Sequence, residues 1–277
     1  MTENFAARLL RAQRASGGLV CVGLDPDPAK MPADLAGAPQ PLLAFNRRIV
    51  DATADLAAAY KPQIAFYSAQ GAEAELEASI RYIRERAPQA LVILDAKRGD
   101  IGNTAVAYAH EAFDRYGADA VTVNPYMGAD SVEPFLARPE RGAIVLCRTS
   151  NPGAGDFQDL RIDGTPLYRV VAARAAGAWN GRRNVMLVVG ATYPREMAAL
   201  RAAHPEIPFL VPGIGAQGGD LAATLAAGLD ATGAGLLINS SRAIIYAGGG
   251  AATAIRAAAG ELRGAIEAVR GARAALQ

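Results

Sequence analysis

The sequence predicts a single-domain α/β fold, the (β/α)8 or TIM barrel. Eight short runs are nearly continuous in Val, Ile and Leu, as strands buried on both faces must be. Ala-rich stretches of 3.6-residue period separate most of them. The 277 residues hold eight such units with no linker, low-complexity tract or charge run to mark a second domain, so one barrel spans residues 1–277. A doubly wound open sheet is the alternative, but no Gly-x-Gly-x-x-Gly follows the first run.

The elements follow in order. The N-terminal stretch MTENFAARLLRAQRASG reads as a helix ahead of the barrel. It carries acidic Glu3 and lacks the apolar stretch of roughly 7–15 residues that a signal peptide needs. Leu19–Asp25 is the first strand, Leu42–Ala58 a helix, Ala59–Phe66 the second strand and Gly71–Arg86 a helix. Leu91–Lys97, Ala120–Asn124 and Ala143–Thr149 are strands three to five. The connection Ser150–Leu167, SNPGAGDFQDLRIDGTPL, is long and irregular, and its place after strand five predicts a lid at about 150–167. Val185–Ala191 is strand six, and Pro194–Ala203 is a helix with proline in its first turn. Phe209–Gly215 and Gly235–Ser240 are the last strands, and Ala251–Leu276 is helical.

Composition narrows the function. With 28 Lys+Arg against 27 Asp+Glu the net charge is +1, which argues against a nucleic-acid binder. No run reaches about 18 uninterrupted apolar residues, so no membrane span is expected and the cytoplasm is the expected location. Cys21 and Cys147 lie in apolar runs and read as small buried hydrophobes. His110 and His204 are too few for a His-ligated metal or a Ser-His-Asp triad. Acid–base work therefore falls to Lys, Asp or Glu.

Barrel enzymes draw their functional side chains from the C-terminal ends of strands. Here those ends carry Asp25, Lys61, Asp95 with Lys97, Asn124, Thr149 with Ser150, Gly213 to Gln217, and Arg242. The densest group is Asp95-Ala-Lys97-Arg98-Gly99-Asp100, in which strand alternation points Asp95 and Lys97 to one face. An ammonium between carboxylates keeps its proton, which makes it a poor base and a fitting proton donor. The second signal is PGIGAQGG at 212–219 after strand seven, with Ser240-Ser241-Arg242 after strand eight, the usual place of a barrel phosphate site. Glycines there admit backbone N–H groups to a phosphate, a following helix N-terminus adds its dipole, and Arg242 offers a bidentate contact.

The run LDAKRGDIGNT, with VGLDPD upstream and VPGIGAQGGD and SSRAIIY downstream, resembles orotidine 5′-phosphate decarboxylase, and most closely its longer bacterial branch (type 2). Ordered matches extend from Gly23 to Tyr246. The resemblance implies decarboxylation of orotidine 5′-phosphate to UMP in pyrimidine biosynthesis, with neither metal nor organic cofactor, by a Lys-Asp-Lys-Asp array, here Lys61, Asp95, Lys97 and Asp100. It makes Lys97 the proton donor to C6, sets Asp95 against the departing carboxylate, and has Lys61 orient Asp95 and reach a ribose hydroxyl. It implies a homodimer with shared sites, in which Asp100, Ile101 and Thr104 enter the neighbouring subunit. Asp25 would hold the ribose, Ser150 the pyrimidine edge, and Gln217 and Arg242 the 5′-phosphate. The chain departs from the commoner short branch at Ser241, where glycine is usual, and in the length of its 151–166 loop. Two competing readings share the barrel: a metal-dependent hexulose-phosphate synthase with the same Asp-x-Lys-x-x-Asp core, and a catalytically silent nucleotide-binding protein. The second would have lost an array position, and all four are present.

Overall fold

The computed structural model describes residues 3–35, 37–214 and 219–274. Phe5–Ser16 is a helix (α1) because Asn4 caps it, accepting the Ala7 N–H at 3.0 Å, and Gly17 ends it in the left-handed region at φ 63°. Val20–Leu24 (β1) follows, then Pro41–Thr53 (α2), which stops short of the predicted Ala58. There the amides of Leu56 and Ala57 fold back onto the Thr53 carbonyl at 2.9 and 3.0 Å. Ala59–Pro62 (β2) is also shorter than predicted. Pro62 brings no N–H to the ladder, Gln63 makes an isolated bridge to Asp95, and the chain turns at once into Ala65–Ser68 (α3).

Glu73–Arg86 (α4), Leu91–Arg98 (β3) and Gly102–His110 (α5) come next, and α5 runs on into a π-helical turn at Glu111–Arg115. Ala120–Val123 (β4), Ala129–Leu136 (α6) and Gly142–Arg148 (β5) complete the first five strands. The connection predicted to be irregular is built. It holds a 3-10 turn at Pro152–Ala154, the single helical turn Gly155–Gln158 (α7), and a hairpin of Arg161–Ile162 (β6) with Thr165–Pro166 (β7). Asp163 and Gly164 make the hairpin turn, both at positive φ (49° and 77°), the Asp-Gly chemistry of a type I′ turn. Leu167–Ala176 (α8), Val185–Val189 (β8), Pro194–Ala203 (α9), Phe209–Val211 (β9) and Leu221–Gly228 (α10) follow. Leu236–Ser240 (β10), Arg242–Ile245 (α11) and Ala252–Ala274 (α12) end the chain's described part. All eight predicted barrel strands are present. They pair in parallel in chain order, and β10 closes on β1 through Val20↔Ile238, Cys21↔Asn239 and Val22↔Ser240.

Alternate strand residues turn inward. Cys21, Ala59, Ile93, Ala120, Ile144, Met186, Leu210 and Leu237 form one buried cluster with Phe5, Leu9 and Ala12 of α1, which stoppers the N-terminal end of the barrel. Two residues further along those inward faces the lining turns polar, at Lys61, Asp95, Thr122 and Asn239, all buried. That change of chemistry at fixed period places a polar layer at the C-terminal rim. At the opposite end the buried carboxylate of Asp119 accepts the Val92 N–H at 2.7 Å and pairs with Arg8 of α1, with Arg84 at 2.6 Å and with Arg141 at 3.6 Å. It ties the stopper to the sheet. Both cysteines are free and buried, and burial pushes each thiol up to about 12, so neither is a thiolate at neutral pH.

Candidate active site

Strands β2 and β3 bring three charges together. Lys61 Nζ donates to Asp95 Oδ2 at 2.9 Å, and Lys97 Nζ donates to Asp95 Oδ1 at 2.6 Å. Lys61 and Asp95 are buried, whereas the Lys97 side chain is 48% exposed and forms the open end of the trio. Burial by itself would raise the Asp95 carboxyl, but the ammoniums of Lys61 and Lys97 hold it well below the usual carboxylate range. Burial would likewise strip the Lys61 proton, yet Asp95 and then Asp25 hold that ammonium above the ordinary lysine value. The trio is thus a fixed line of alternating charge, with Lys97 at the end that faces the barrel mouth.

The backbone beneath it is irregular. Leu94 pairs with Val121 and the next ladder pair is Arg98 with Val123, so β3 bulges opposite Thr122. Lys97 sits in the left-handed region at φ 48°, a conformation costing a non-glycine residue roughly 1–2 kcal/mol. The contact predicted from alternation is present, made through a bulge rather than a regular strand. The Thr122 hydroxyl fills the bulge, accepting the N–H groups of Ala96 (3.0 Å) and Lys97 (2.9 Å) and donating to Asp95 Oδ1 (2.9 Å).

Asp100 stands apart. Among the described residues it has no ion pair, and its Oδ1 accepts the Ile101 N–H at 2.8 Å. Ile101 and Thr104 are exposed on the same rim. Within one chain the predicted four-charge array is therefore a trio, with Asp100 beyond the bulge and outside ion-pair distance of Lys61 and Lys97.

Across the mouth, a cavity of about 140 Å³ is lined by Asp25, Gly213, Asn239, Ser241 and Arg242, bringing together the ends of β1, β9 and β10. Asp25 Oδ1 and Asn239 Oδ1 are buried there and have no hydrogen-bond partner among the described residues. Unsatisfied buried acceptors are costly and mark a place for donors from a ligand. A Cβ at Gly23 would lie 1.8 Å from Ser241 Oγ, so the glycine on β1 makes room for the serine on the facing strand end. The glycine-rich loop is pinched at its base by the Ile214↔Gly219 bridge, and Gln217 lies outside the described residues. One expectation needs correction. The N-terminus of α10 after that loop is already capped, Asp220 accepting the Ala223 N–H at 3.1 Å, and its carboxylate would repel a phosphate. The helix start that lines the cavity is α11, whose first amides, at Arg242 and Ala243, lie outside the helical ladder by position.

Ser150, at the end of β5, is packed against β8, where a Cβ at Gly190 would lie 2.7 Å from Ser150 Cβ. Next to it the buried Arg148 stacks 3.7 Å over the Tyr193 ring and reaches Gln158 (3.3 Å) and Asp159 (3.1 Å) of the α7 segment. Gln158 in turn accepts the Thr149 N–H at 2.9 Å and donates to the Thr149 hydroxyl at 2.8 Å. His110 is on the outer surface, paired with Asp114 at 2.5 Å. Thr122, Asn239 and Arg148 are residues that sequence reasoning passed over. Their signal was a polar side chain interrupting an apolar run at the inward period.

Known proteins match over most of the chain. Residues 18–258 match the model of the Orotidine 5′-phosphate decarboxylase / HUMPS family. The chain is 57% identical over 244 residues to orotidine 5′-phosphate decarboxylase of Janthinobacterium sp. (strain Marseille), covering 88% of this chain and 90% of that one. It is 57% identical over 269 residues to the same enzyme of Azoarcus sp. (strain BH72), covering 96% and 100%. Among solved structures, Leishmania donovani OMP decarboxylase superposes with a TM-score of 0.84 at 44% identity, covering 97% of this chain and 99% of that one.

Proposed function

Since the chain belongs to the orotidine 5′-phosphate decarboxylase family and converts orotidine 5′-phosphate to UMP and CO2, we propose a division of that work among its residues. The C6–carboxylate bond breaks, its electron pair stays on C6, CO2 leaves, and the Lys97 ammonium gives its proton to C6. The observation that carries this role is the trio itself, with a proton-bearing lysine at its open end and a buried carboxylate behind it. A fixed ammonium aimed at developing negative charge stabilises the transition state without reorganising, the kind of electrostatic contribution that is often the largest in catalysis. Asp95 lies beside the departing carboxylate, and Lys61 holds Asp95 in place and reaches a ribose hydroxyl.

Asp25 takes a ribose hydroxyl, with Asn239 as a second acceptor on the same cavity. Arg242 and Gln217 take the 5′-phosphate, and Ser150 meets the pyrimidine edge beneath the 150–167 lid. Binding energy from the phosphate, remote from the bond that breaks, is available for lid closure and desolvation. Two copies form a homodimer in which Asp100, Ile101 and Thr104 complete the neighbour's site. Supporting that assembly, Ile101, Val106, Met127 and the 79%-exposed Tyr126 leave apolar surface on elements after β3 and β4. The enzyme works in the cytoplasm; among the described residues no helix is long and apolar enough to cross a membrane.

The test is the ultraviolet absorbance of orotidine 5′-phosphate mixed with purified protein, with and without excess EDTA. Loss of the orotate signal, unaffected by chelator, is the expected result. Lys97→Ala should abolish turnover while still binding UMP, and residual turnover within about tenfold of the parent, roughly 1.4 kcal/mol, would refute the donor role. A folded protein that leaves the signal unchanged, or a chelator-sensitive reaction, would favour metal-dependent sugar-phosphate chemistry.

A further inference from the structure

Thr122 stands at the junction of everything that fixes Lys97. A threonine hydroxyl has one proton and two acceptor positions. Here two backbone N–H groups, those of Ala96 and Lys97, point at its oxygen, so its proton is committed to Asp95 Oδ1. Asp95 consequently receives three donors: Lys97 and Thr122 on Oδ1, and Lys61 on Oδ2. Any rotation of the carboxylate breaks at least one of them. The same oxygen holds the two amides flanking the bulge, where Lys97 keeps its left-handed backbone although it is not a glycine.

We propose that Thr122 is a positioning residue for decarboxylation, acting through Asp95 and the Lys97 backbone to set the place of the Lys97 ammonium over the barrel mouth. Without the hydroxyl, the Ala96 and Lys97 amides lose their acceptor and the left-handed turn loses the bonds that stabilise it. Lys97 then has a regular extended strand open to it, in which its ammonium sits elsewhere. The contacts assigned to Asp25 and Arg242, at the ends of β1 and β10, do not depend on this oxygen, and Lys61 keeps its own bond to Asp95 Oδ2. The effect therefore falls on turnover and not on substrate affinity.

The experiment compares Thr122→Val, which keeps the shape and removes the hydroxyl, with Thr122→Ser, which keeps the hydroxyl and removes the methyl. Thr122→Val should lower kcat at least tenfold with KM for orotidine 5′-phosphate within threefold of the parent, and Thr122→Ser should return kcat to within threefold. A valine variant whose kcat stays within threefold of the parent overturns the proposal. So does a serine variant no better than valine, or a fall in kcat matched by an equal rise in KM. If the valine chain does not fold, Thr122→Cys, of similar size but with a weak sulfur donor and acceptor, is read against the same thresholds. The inference rests on the decarboxylase reading. Parent turnover tests that reading and the ratio of variant to parent tests Thr122, so the two fail separately.

Discussion

Asp95 is ionised in a buried place because two ammoniums make it so, and removing one should show how much each contributes. A carboxylate whose folded value is depressed adds stability above its unfolded value near 3.9, and loses it as pH falls through the folded value. For Asp95 that loss lies below the usual carboxylate range. Lys61, held above the ordinary lysine value, adds stability that is present below about 10.4 and is lost only as pH rises further. The pair is thus intact from about pH 5 to about pH 10. In Lys61→Met, burial acts on Asp95 with one counter-charge fewer, so the carboxyl should move up and the variant's stability deficit relative to the parent should shrink as pH is lowered through the carboxylate range, where protonation relieves the unpaired buried charge. Urea unfolding at pH 7 should show a loss of about 3–5 kcal/mol, the usual cost of breaking a buried pair. Parallel pH dependence in parent and variant would contradict this account. At this scale the sequence displayed its charges openly, since Lys61, Asp95 and Lys97 stand out against apolar neighbours. Thr122 and Asn239 were illegible for the opposite reason. Threonine is an ordinary strand former and asparagine an ordinary strand end, and only the inward period, counted up from the apolar layer, distinguishes them.

The 150–167 connection shows what an element-level reading misses. Its two-residue strands are too short to display alternation, so the Asp163-Gly164 turn had no flanking pattern to announce it. Its anchor was equally hidden, because Arg148 lies in strand β5 and meets Gln158 and Asp159 only after the chain doubles back. Arg148→Met should release α7 and the hairpin while keeping most of the apolar volume of the side chain. Trypsin should then cut at Arg161 faster than in the parent, and KM for substrate should rise about tenfold, roughly 1.4 kcal/mol. Unchanged proteolysis together with unchanged KM would show that Arg148 does not hold this connection in place. The over-long predictions for α2 and β2 have a shared origin. Apolar composition continued past both ends, while Thr53 and Pro62 stopped the backbone.

For the whole molecule the barrel was legible because every strand is apolar on both faces, a pattern that parallel sheets covered by helices impose. The proposed sharing of sites between two chains comes from the family resemblance alone, since periodicity within one chain says nothing of a second. Mixing Lys97→Ala with Asp100→Ala should regain part of the parent activity, as one of the two sites in a mixed dimer carries neither substitution. No recovery after mixing and re-equilibration would mean self-contained sites. The helical stopper α1 belongs to the order of synthesis as much as to the finished barrel. Its partners Asp119 and Glu140 lie 111 and 132 residues further along. At about 5–20 residues per second a ribosome needs roughly 6–26 s to deliver that stretch. Until then Phe5 and Leu9 have only part of their cluster, Cys21, Ala59 and Ile93, to dock against, and Arg8 lacks its anchors, so the stopper is seated only once the middle of the barrel has been made.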